Sequence, residues 1–160
     1  MRMKVVSCLG AVLLLAGMAA TPVVKAADDP SNGTWKLNIE KSKFDPGPAP
    51  KSGTVTITIG NGTETYNGET TDASGKTTNM SFKAQLDGTD ATLTGTPMGD
   101  TISIKHPSPN KLVGSIKQGG KVLITVHVTV SADGKTRTVT ETGKTPDGKP
   151  VHSVMVYDKQ

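Results

Sequence analysis

The stretch KLVGSIKQGGKVLITVHVTV, residues 111–130, decides the fold class. Its second half, residues 121–130, puts Val122, Ile124, Val126, Val128 and Val130 on one side and Leu123, Thr125, His127 and Thr129 on the other. A period of two over ten β-rich positions is what an extended strand turns into two distinct faces. Its first half, residues 111–117, repeats the alternation with Leu112, Gly114 and Ile116 on one face, and Gln118-Gly119-Gly120 joins the halves as a hairpin turn. The unit is an antiparallel hairpin.

The same grammar extends in both directions. Towards the N-terminus, residues 101–105 carry Ile102 and Ile104 before Pro107-Ser108-Pro109-Asn110 interrupts them, and a short strand is expected around 91–94 after a turn at Asp87-Gly88. Residues 77–84 hold Phe82, residues 63–70 hold Tyr66, and Asn61-Gly62 closes the hairpin onto Val55, Ile57 and Ile59, which alternate with threonines. Trp35, Leu37 and Ile39 place a first strand at about 33–39. Towards the C-terminus, Asp133-Gly134-Lys135 and Asp147-Gly148-Lys149 bound two last strands, 136–143 and 151–158. No helical period intervenes. Ten strands joined mostly by tight turns predict an all-β, antiparallel up-and-down meander, and closing it into a small barrel removes the two edges that an open sheet would expose. Residues 40–52, with Pro46, Pro48 and Pro50, cannot be helical throughout and read as a connector or as a flap over a cavity mouth.

The chain's start is of another kind. Arg2 and Lys4 precede an apolar run from Val5 to Ala20, too short to span a bilayer, which leads to Val24-Lys25-Ala26. Residues 1–26 are therefore expected to be a signal peptide cut after Ala26, residues 27–32 a flexible lead-in, and residues 33–160 one barrel domain, secreted or periplasmic, with no integral membrane span after cleavage. Cys8, the single cysteine, leaves with the leader, so the mature core must hold without disulfides. The formal net charge of +4 falls to +1 once Arg2, Lys4 and Lys25 are removed, and this argues against nucleic acid as a partner.

The opening GTWKL, residues 33–37, resembles the calycin superfamily, the lipocalins and intracellular fatty-acid-binding proteins, and the latter most. The strand count and the absence of a C-terminal helix fit that resemblance. GTWKLN at 33–38 and VYDK at 156–159 also resemble short exported bacterial proteins of uncharacterised role. The calycin resemblance implies a ligand-holding barrel with Trp35 as the plug at one end. It also implies departures: the helical lid between the first two strands is replaced by residues 40–52, and of the Arg-x-Tyr carboxylate anchor in the last strand only Tyr157 is present, with Met155 at the arginine position.

Catalytic patterns are missing. His106, His127 and His152 lack metal-ligand spacing, there is no Gly-x-Ser-x-Gly elbow, and the acidic residues Asp72, Asp87, Asp133 and Asp147 mark turns. No enzyme activity, metal or cofactor is expected. Candidate ligand-binding residues are Tyr66, Phe82, His127, Arg137 and Tyr157. Arg137, the only arginine after cleavage, is read as solvated beside Glu141; inside the barrel it would anchor an anion. His127 is read as a surface or cavity-wall residue. The leading functional expectation is a monomeric binding protein for a small, mostly apolar ligand. The alternative is a filled barrel acting through its surface in the cell envelope, and the outcome depends on which face of the strands points inward.

Overall fold

The computed structural model describes residues 28–160; the expected signal peptide, its expected cleavage site and Cys8 lie outside the described residues. Ten strands follow in order: β1 (Gly33–Lys43), β2 (Ser52–Gly60), β3 (Thr63–Thr71), β4 (Thr77–Gln85), β5 (Asp87–Thr94), β6 (Thr101–Ser108), β7 (Lys111–Gln118), β8 (Lys121–Val130), β9 (Thr136–Lys144) and β10 (Pro150–Lys159). Each pairs antiparallel with its sequence neighbours, and β1 pairs with β10, which closes the barrel. The meander predicted from residues 111–130 is thus the architecture of the whole described chain. Connections after odd-numbered strands lie at one end, the mouth. Those after even-numbered strands lie at the other, with both termini of the described chain.

The apolar face of nearly every strand points inward. Val55 and Ile57, Ile102 and Ile104, Leu112 and Ile116, and Ile124, Val128 and Val130 are all buried, whereas the interleaved Thr54, Thr56 and Thr58 are exposed. Burying aliphatic surface at roughly 25 cal/mol per Å² is the main source of stability available to this domain, which has few aromatic residues. Across the outer face, hydroxyls meet between strands, as in the Thr34–Thr56 contact at 3.3 Å and the Ser81–Thr94 contact at 2.9 Å.

Strict alternation fails at two bulges. β1 runs to Lys43, beyond the expected end at 39, because its pairing with β10 jumps from Asn38↔Val156 to Lys43↔Val154. The residues between loop out. The Ser42 hydroxyl donates to the Asn38 carbonyl and accepts from Val156 N–H, and Ile39 is 36% exposed instead of joining the core. In β8 the register passes from Ile116↔Ile124 to Lys117↔Val122, so Leu123 is the extra residue of a bulge. The phase shift carries Val122 outward, 49% exposed, and the five-residue apolar face expected for β8 is one residue shorter.

Three smaller corrections share a cause, namely backbone bonds that only the assembled sheet can offer. The turn into β5 lies at Leu86 and not at Asp87-Gly88, because Leu86 N–H donates to the Gly62 carbonyl at 2.8 Å. β6 continues through Pro107 to Ser108, and the missing N–H of the proline falls in a register irregularity between Lys105 and Ser108. Residues 29–32, expected to be flexible, are docked: Asn32 donates to the Ile59 carbonyl and accepts from Ile59 N–H, and Ser31 is fully buried.

Candidate functional site

The closed end is built around Trp35, which is 0% exposed. Its indole N–H donates to the Ser31 carbonyl at 2.9 Å, so the ring holds the docked lead-in across the barrel floor. Lys159 Nζ lies 5.0 Å from the ring centroid. His106, at the end of β6, approaches Asp29 of the lead-in at 3.4 Å.

Above this floor the apolar faces do not fill the interior. A cavity of about 170 Å³, partly open to solvent, remains, walled mainly by aliphatic side chains of β6–β9 and by Tyr66, Met80, Phe82, Met155 and Tyr157. Two inward-facing glycines help to keep it open. Gly68 lets the Tyr66 ring lie along its own strand, since a Cβ there would sit 2.8 Å from the Tyr66 hydroxyl, and Gly114 on β7 presents no side chain to the cavity it lines. Tyr66 and Phe82, paired across β3 and β4, stack with ring centroids 4.8 Å apart and planes 6° from parallel. At the mouth, Phe44 and Met98 from the connections after β1 and β5 pack against the core. The proline-rich connection is tied to β10: His152 N–H donates to the Asp45 carbonyl at 2.7 Å, and the Ser153 hydroxyl bonds both Asp45 N–H and its carbonyl.

Tyr66, Phe82, Arg137 and Tyr157 come together on this cavity's wall. His127 does not: it alternates with Val126 and Val128 and is exposed on the outer face of β8. Arg137 corrects the expectation of a solvated side chain, since it is 5% exposed, lines the cavity, and has no hydrogen-bond partner for its Nε. Glu141, on the same face of β9, lines the cavity with it instead of pairing with it in solvent.

Glu64 was missed. It is 2% exposed and lines the cavity, although in sequence it follows the Asn61-Gly62 turn and looks like one more turn carboxylate. The available signal is its phase, because Glu64, Tyr66, Gly68 and Thr70 alternate on one face of β3. Burial raises the Glu64 pKa, Arg137 and then His106 pull it back down, and Asp29 adds a further upward push. Burial alone raises that of Glu141. Burial pushes the Tyr66 hydroxyl upward and that of Tyr157 to about 12, so both phenols are neutral donors across the physiological range. The turn acids behave oppositely. In Asp72, hydrogen bonds from Ser74 and Lys76 lower the pKa of a fully exposed carboxyl, which is turn chemistry and not a site.

The raised Glu141 pKa has a stability consequence with a definite sign. A carboxyl that binds its proton more tightly when folded makes its full contribution below the unfolded value near 4.5 and loses it as pH rises through the folded value. Glu141→Gln cannot titrate, so its stability relative to the native sequence is expected to increase as pH rises from about 4.5 to 7. Urea denaturation across that range reads the difference directly, and a difference independent of pH would mean that Glu141 does not hold its proton more tightly in the folded protein.

No protein-family model matches the chain, and no curated protein matches it. The geometry itself is that of a closed ten-stranded antiparallel barrel, an architecture compatible with a calycin-like barrel. None of the described residues forms a helix long and apolar enough to cross a membrane.

Proposed function

We propose that this chain is an exported, monomeric calycin-like barrel that binds a small, mostly apolar ligand in its interior. The observation that carries this reading is the interior cavity, about 170 Å³, left among inward-facing apolar side chains together with a few convergent polar groups. Its size selects the ligand. An apolar cavity of roughly 150 Å³ takes a benzene-sized molecule, whereas sites for larger ligands run to roughly 300–1,000 Å³. A compact ring suits that volume better than a long acyl chain, and Met155 in place of the resembled family's arginine agrees with that. Trp35 acts as the floor, and the stacked Tyr66 and Phe82 with Tyr157 form the aromatic wall.

Native mass spectrometry of the mature protein isolated from its own host tests the reading. The expected result is a protein mass corresponding to cleavage after Ala26, with a co-purifying molecule of about the size class set by the cavity. Empty spectra combined with no thermal shift across a panel of small apolar compounds would favour a barrel that acts through its outer surface.

A further inference from the structure

The charged groups inside the barrel do not balance, and the imbalance specifies a ligand class for the cavity; this step rests on the small-ligand reading above. Three side chains that line the cavity can carry charge: Glu64, Arg137 and Glu141. The guanidinium stays protonated in any protein environment. It is the strongest charge acting in favour of ionised Glu64, with His106 second, and His106 has its own acid in Asp29 at 3.4 Å. Since Arg137 Nε has no hydrogen-bond partner, the compensation between Arg137 and Glu64 is by charge and not by a direct bond at that nitrogen. At the closed end, then, the Arg137 guanidinium faces the Glu64 carboxyl.

Glu141 has no such counterpart. It lies four residues beyond Arg137 on the same strand face, roughly 13 Å along β9 at the usual strand rise. Its partners in register are Val126 on β8 and Ser153 on β10, and the Ser153 hydroxyl is engaged by the backbone of Asp45. The titratable groups that sense its charge from the facing strands are Tyr66 on β3 and Tyr157 on β10, neither of which supplies a cation. A carboxyl with no counter-charge on a largely apolar wall is costly to ionise, and a ligand that brings the missing positive charge offsets that cost.

We propose that the cavity is built for a small aromatic or alicyclic primary amine, whose ammonium pairs with Glu141 while its apolar body lies among Tyr66, Phe82, Val126, Val139 and Tyr157. Arg137, whose Nε has no hydrogen-bond partner, is left to offset the Glu64 charge at a distance. A carboxylate ligand beside it would have to compete with Glu64 for the same charge, and it would add a third acid to a cavity that already has one too many. The aromatic wall favours the same choice, because a cation is attracted to the ring faces.

Benzylamine, toluene and benzoate share one ring and differ in charge, so calorimetric titration of the mature protein with each separates the terms. Benzylamine is expected to bind about tenfold or more tighter than toluene, with benzoate the weakest. Glu141→Gln should reduce benzylamine affinity to the level at which the same variant binds toluene. With the native sequence, forming the ammonium–carboxylate pair expels the Glu141 proton, so benzylamine affinity is expected to rise with pH above the ordinary carboxylate value while toluene stays flat. That readout does not depend on how the variant folds. Binding of toluene without preference for the amine, amine binding untouched by Glu141→Gln, or benzoate as the tightest ligand would each overturn the amine assignment alone. Failure of both toluene and benzylamine to bind would overturn the small-ligand reading and the amine assignment together.

Discussion

Replacing Trp35 by alanine is expected to destabilise the barrel by about 3–5 kcal/mol, the range for deleting a large buried aromatic side chain. The residue is 0% exposed, and its indole N–H holds the Ser31 carbonyl at 2.9 Å. The substitution therefore empties the floor and orphans a buried acceptor at once. The lead-in follows, since Ser31 and the Asn32–Ile59 bonds depend on that floor being in place. Small domains have only about 5–15 kcal/mol in total, so Trp35→Ala should sit close to its unfolding transition at room temperature. Trp35→Phe separates the two contributions, because most of the packing remains and the lost hydrogen bond accounts for about 1 kcal/mol. Urea denaturation of both variants is the measurement. A loss below about 1 kcal/mol for the alanine variant would mean that the floor carries little of the fold.

The second large effect is expected at Gly95, which begins the connection from β5 to β6. Its φ is +76°, and a Cβ built there would lie 1.6 Å from the Asn79 carbonyl oxygen, inside bonding distance. The position matters because β4 and β5 share only the pairs Ser81↔Thr94 and Phe82↔Leu93, so the chain closes this seam by running hard against β4. Gly95→Ala should cost more than the roughly 1–2 kcal/mol of a left-handed backbone, reaching about 3 kcal/mol or more because β4 must move. Gly148→Ala supplies the control. It has a similar φ of +85° and nothing within 4 Å of the added carbon, so it measures the backbone contribution alone. Thermal denaturation of the pair, together with far-ultraviolet circular dichroism, gives the steric part by difference. Equal losses in the two variants would contradict the tight seam.

The barrel was legible because its strands obey a period of two and its turns are made of Asn-Gly, Gly-Gly and Asp-Gly-Lys, all local properties. Ile39 and Val122 were misplaced because a bulge is a relation between two strands, and no pattern within β1 or β8 alone announces it. The docking of residues 29–32 has the same character, since it exists only through Trp35 and Ile59. The site was half legible. Tyr66, Phe82 and Tyr157 sit in the apolar phase of their strands, and His127 in the opposite phase of β8. Arg137 and Glu141 also stood in an inward phase, but two opposite charges four residues apart on a strand looked like a solvated pair. What places them inside is Val139 between them, buried on the same face of β9. Glu64 was hidden by its nearness to a turn, although its alternation with Tyr66 put it on the wall.

The central claim is that the interior is a binding cavity and not a packing remnant. The most direct test is a calorimetric titration of toluene into the barrel, residues 27–160, and into its Val126→Phe variant, which places a larger side chain in the cavity that Val126 lines. The expected result is saturable one-to-one binding to the native sequence and none to Val126→Phe, with the variant retaining the native circular dichroism spectrum. Equal binding to both proteins, or none to the native one, would contradict the account.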